Sequence, residues 1–133
     1  MQHAAALSAT VVAAGAGTAD SFAVLEASLG PGAVIPNHVH RHEDVHLLAL
    51  SGALSVVRDG CPQRVRTGEH VRLHAGQPWG ARALDGSRLL VLFVPAGAER
   101  LAAPLLAAHD ADDRAALLAA AGIHVVPATT EEP

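Results

Sequence analysis

From Ser21 to Pro95 the chain is cut into short apolar or alternating runs, each closed by a turn signal before it reaches helical length. The runs are SFAVLEASL, HLLALSG, ALSVVRDG, QRVRTG, HVRLHAG, WGARALDG and SRLLVLFV. Alternation puts every second side chain on one face of a strand, and many such strands at close intervals pack as a sandwich or barrel. GPG at 30–32, DG at 59–60 and DG at 85–86 supply the positive-φ positions of tight turns. They place two hairpins, ALSVVRDGCPQRV and WGARALDGSRLLV.

Beyond Pro95 the segment AGAERLAAPLLAAHDADDRAALLAAAG is rich in alanine and leucine and poor in β-branched residues, which favours helix. Pro104 should break or kink it, Asp110 or Asp112 can cap a second helix, and Gly122 stands where that helix should stop. IHVVP then reads as a returning edge strand. The expected fold is all-β, with a barrel over about 20–95, a helical tail over about 98–122 and a disordered tail at 128–133. A chain of 133 residues suits one core, so 1–133 is read as a single domain.

Composition excludes several functions. The nine basic residues are all arginines, spread from Arg41 to Arg114, and the net charge is −4, so no nucleic-acid footprint exists. With neither lysine nor tyrosine, Schiff-base and phenolic acid/base chemistry are ruled out. Cys61 is the only cysteine, which removes an internal disulfide and suggests a reducing compartment. The apolar N-terminus lacks a positive leading region and falls short of the ~20 residues of a membrane span, so a cytoplasmic protein without a membrane partner is expected.

The stretch NHVHRHEDVH, residues 37–46, holds four of the nine histidines and two acids. His38 and His40, spaced i, i+2, share one strand face and can both aim into a barrel. With Gly32 before them, Gly52 behind and LLVLFVPAGAER downstream, the run resembles the cupin superfamily of small jelly-roll barrels, specifically the bacterial type with an ED pair in its first motif. The resemblance covers nearly the whole chain. It implies a small-molecule enzyme with a divalent metal ion, similar to quercetinase-like dioxygenases or to the small cyclases and isomerases of secondary metabolism, and a homodimer. No organic cofactor is indicated.

The family's ligand pattern is only half present. Val45 stands where the ligand glutamate is expected, His74 replaces a proline of the second motif, and Trp79 replaces its ligand histidine. His38 and His40 carry over, and two imidazoles are too few for a tight site. His74 lies across the AGQP turn from Trp79, so the metal set is read as His38, His40 and His74, with an open position suited to zinc, iron, nickel or copper. His42, Asp44 or His46 could stand in at Val45. Trp79, Val45 and His46 are assigned to the substrate pocket. His70, Arg72 and His74 share a face; if it is the inner one, Arg72 binds a substrate carboxylate. In a metal-free variant His40 is the general base. The alternative is a non-catalytic module that binds or senses a small molecule or a metal.

Overall fold

The computed structural model describes residues 7–107 and 110–126. Ten strands form two five-stranded antiparallel sheets, and the inner faces of the sheets meet in one apolar core. The first sheet runs β1 (Leu7–Ala13), β2 (Ala23–Leu29), β9 (Ser87–Val94), β4 (Asp44–Ser51), β7 (His70–Leu73). The second runs β10 (Ile123–Val125), β3 (Val34–His40), β8 (Trp79–Ala83), β5 (Leu54–Arg58), β6 (Cys61–Val65). Alternation within each run produces this arrangement. Val45, Leu47 and Ala49 of β4, Leu89, Val91 and Phe93 of β9, and Leu54 and Val56 of β5 are all buried, while the residues between them face outward.

The Asp59-Gly60 turn closes the expected β5–β6 hairpin, pairing Arg58 with Cys61 and holding both turn residues at positive φ. The second expected hairpin does not form. β8 pairs with β3 and β5, whereas β9 pairs with β2 and β4, so the Asp85-Gly86 turn carries the chain from one sheet to the other. β8 and β9 each bury an apolar face in the core from their own sheet, and a turn dipeptide does not specify whether its flanking strands pair. Gly52 is needed at this crossing. It has a φ of 75°, and a Cβ there would lie 2.3 Å from the Gly86 carbonyl oxygen. Ala53 N–H donates to the Asp85 carboxylate beside it.

β1 was not among the expected strands, yet it pairs along the edge of β2 from Leu7 opposite Leu29 to Ala13 opposite Val24. At the other end, a 3-10 turn (Ala98–Leu101) leads into α1 (Ala102–Ala107), with Pro104 in its first turn, where a missing N–H costs nothing. Buried Glu99 accepts the N–H groups of Gly15 and Gly97, tying the loop before β2 to the exit of β9. Asp110 caps α2 (Ala111–Ala120) by accepting the N–H of Asp113 at 2.8 Å, and Gly122, at positive φ, ends the helix. The expected disordered tail at 128–133 lies outside the described residues. Replacing Asp110 with alanine should cost about 1 kcal/mol, read as a lower urea midpoint with an unchanged slope. An unchanged midpoint would mean that α2 contributes nothing to the cooperative unit.

Candidate functional site

His38 and His40 face the interior because β3 is irregular. Ile35 pairs with Ala81 of β8, but the next pair is His38 with Trp79, so β3 carries one residue more than its partner. This bulge at Pro36-Asn37 reverses the side-chain parity, so both partly buried Ile35 and the two histidines face inward. Pro36 has no N–H to contribute to the ladder, which suits it to a bulge. Gly80 allows the close approach, since a Cβ there would stand 2.9 Å from the Ile35 carbonyl oxygen and 3.0 Å from the Asn37 nitrogen. On its other edge β3 pairs with β10, where Ile123 lies opposite His40 and Val125 opposite His38.

The two imidazoles are held from behind. His38 Nδ1 lies 2.7 Å from the Pro36 carbonyl oxygen, which can only accept, so Nδ1 carries the proton. His40 Nδ1 lies 3.0 Å from Glu43 Oε1. The two Nε2 atoms face each other at 3.1 Å. Two neutral rings bring two N–H groups to these three contacts, so with Glu43 ionised the gap between the Nε2 atoms holds two opposed lone pairs unless a further proton or a cation occupies it. All three side chains are enclosed, at 8% exposure for His38, 6% for His40 and 4% for Glu43, so water screens this arrangement poorly. Burial pushes the His38 imidazole down to about 4, outweighing the bond to the Pro36 carbonyl, and the neighbouring His40 adds to the effect. His38 is therefore neutral at pH 7.

Aromatic groups wall the pair. The Trp79 ring centroid lies 4.4 Å from that of His38 and is stacked on His40 at 6.3 Å, and Phe93 stands 5.9 Å from His40 on the side of the opposite sheet. Trp79 thus lies against both histidines. Val45 is buried within the core of β4, between Leu73 and Phe93, and forms apolar wall.

The remaining sequence-derived residues lie elsewhere. On β7, Val71 and Leu73 face in, so alternation turns His70 and Arg72 outward and leaves His74 exposed in the turn that follows. Arg72 is ion-paired with Asp44 at 2.6 Å on that outer face and does not line the interior. The turn after His74 is anchored to the site strand by Gly76 N–H donating to the His40 carbonyl, while the His74 ring remains outside. His46 is also outward, against His70, and exposed His42 packs on Gly122. Among the described residues no three His, Cys, Asp or Glu side chains are grouped to share one ion.

The sequence alone reads Glu43, with His42, Asp44 and His46, as part of a polar connection whose usual state is a solvated loop, and it gives Phe93 no role. Glu43 lies two residues before Val45, so it shares the inward parity of the glutamate position, displaced toward the start of the strand; that parity was the available signal.

The sequence profile of the Cupin domain family matches residues 25–95. The chain is a cupin. Over 89 residues it is 33% identical to quercetin 2,3-dioxygenase of Bacillus subtilis (strain 168), an alignment covering 67% of this chain and 26% of that enzyme. This cupin therefore spans about a quarter of that relative's length. Among solved structures, KdgF from Halomonas sp. superposes with a TM-score of 0.65 at 23% identity, covering 74% of this chain and 92% of the other. DMSP lyase DddQ from Ruegeria pomeroyi DSS-3 superposes with a TM-score of 0.59 at 25% identity, covering 66% of this chain and 46% of the other. Cupins similar to this one thus include a dioxygenase, an oxidase, a sugar phosphate isomerase and a lyase.

Proposed function

We propose that this cupin is a small-molecule enzyme whose reacting centre is the His38/His40 pair, with Glu43 as the positioning residue. One observation carries the reading: both rings are hydrogen-bonded through Nδ1, to a carbonyl and to a carboxylate, and bring their Nε2 atoms within 3.1 Å of each other. Metal-binding histidines are held in this way, since the outer partner fixes the ring and raises its basicity. Two nitrogens bound to one ion at ~2.1 Å stand about 3.0 Å apart at right angles and about 3.4 Å apart at the tetrahedral angle, and the 3.1 Å here falls between them. The donor set therefore suits two cis ligands.

A divalent ion so held would supply Lewis-acid polarisation of a substrate oxygen, or dioxygen chemistry if redox-active. The chain's own residues do the rest. Glu43 orients His40 and takes up the charge of its Nδ1–H, Trp79 and Phe93 exclude water, and neutral His38 offers a lone pair at pH 7. In the metal-free alternative a proton fills the same gap, and His40 Nε2 exchanges it with substrate as general acid and base.

The test is metal content per chain, by plasma mass spectrometry, on tagless protein purified without chelator. Metal that is bound after reconstitution and lost in His38→Ala supports the metal-dependent form. A wild-type protein that stays metal-free after reconstitution sinks it and leaves the acid/base form.

A further inference from the structure

The outer face of the first sheet carries a second histidine pair that the barrel interior does not use. His46 of β4 and His70 of β7 lie on a cross-strand diagonal, because the register sets His46 opposite Arg72 and Leu48 opposite His70. Their rings lie nearly parallel, 10° apart in plane with centroids 5.1 Å apart, and His46 Nδ1 stands 2.8 Å from His70 Nε2. His70 is exposed and His46 half-buried. Two nitrogens bound at right angles to one ion at ~2.0 Å, the tetragonal arrangement of Ni2+ and Cu2+, would be about 2.8 Å apart.

We propose that His46 and His70 form a surface site for a late first-row divalent ion of tetragonal preference, Ni2+ or Cu2+, bound through His46 Nδ1 and His70 Nε2 with water in the remaining positions. Imidazole nitrogen suits these ions, and the exposed position leaves room for water ligands.

The surrounding charges permit it. Arg72 lies beside His46, but its guanidinium donates to Asp44 at 2.6 Å, so its charge is matched. Asp44 is further held by Ala75 N–H at 2.8 Å and works as the anchor of that pair. His74, in the following turn, is the other titratable group near His46. Partial burial, followed by the neighbouring His70 and Arg72, holds the His46 imidazole below its usual range. The site lies across the sheet from the core and does not depend on what His38 and His40 bind.

Nickel on a nitrilotriacetate resin reaches surface imidazoles and not the enclosed His38 and His40, so it separates the two sites. Tagless wild-type protein should be retained and eluted by imidazole. Retention should be lost in both His46→Asn and His70→Asn, exposed changes that leave the core intact, and kept in Glu43→Gln. Calorimetric titration with NiCl2 of chelator-stripped protein should show a binding event that vanishes in the same two variants. Wild-type protein in the flow-through, or either single variant eluting with wild type, would overturn the assignment.

Discussion

Glu43→Gln should weaken Zn2+ binding at the barrel site by roughly 10- to 100-fold, the usual effect of losing a carboxylate behind a ligand histidine. Glutamine preserves the volume of this enclosed side chain and can still accept a bond from His40 Nδ1–H, so the fold is expected to survive. What it removes is the negative charge that makes that bond charge-assisted and strengthens the Nε2 lone pair. The effect is large because Glu43 is only 4% exposed and its field is weakly screened. The measurement is Zn2+ competition against a chromophoric chelator, made in a His46→Asn background so that the outer pair does not contribute. Equal affinities in the two proteins would remove Glu43 from the site.

The second large effect is on acid stability. His38 titrates near 4 in the folded chain and at 6.5 when free of the fold. Between these values the unfolded chain binds a proton that the folded chain refuses, so stability is complete above about pH 6.5, falls as pH drops toward 4, and levels off below that. The full difference amounts to about 3 kcal/mol by linkage. Urea unfolding of chelator-stripped protein at pH 7 and at pH 4 should show this loss in wild type and a correspondingly smaller one in His38→Gln; carboxylate contributions cancel in the comparison. Parallel losses in both proteins would show that His38 is not held neutral by its burial.

Much of the barrel is legible in the residues. The alternation of HLLALSG and SRLLVLFV selects the faces that became β4 and β9, and the Asp59-Gly60 dipeptide closes a hairpin because its backbone conformation is local. The cap at Asp110 is equally local. The Asp85-Gly86 turn was misread because pairing across a turn depends on where each strand finds an apolar face, and here the two strands belong to different sheets. β1 escaped notice since its partner, β2, lies ten residues away in sequence, beyond a 3-10 turn.

The site divides along the same line. Residue order alone determined that His38 and His40 share a face, because side chains in a strand repeat every two residues. It also determined that lysine and tyrosine chemistry is absent, while Trp79 in place of a ligand histidine is what the resemblance to cupins implies. Only the tertiary structure decided that this face points inward, since the bulge at Pro36-Asn37 inverts a parity that Ile35 would otherwise have set against the histidines. It likewise turned His46, Arg72 and His74 outward and brought the Glu43 carboxylate behind His40. Spacing is a property of one strand, whereas the direction of a face and the partner of a side chain depend on the strands packed against it.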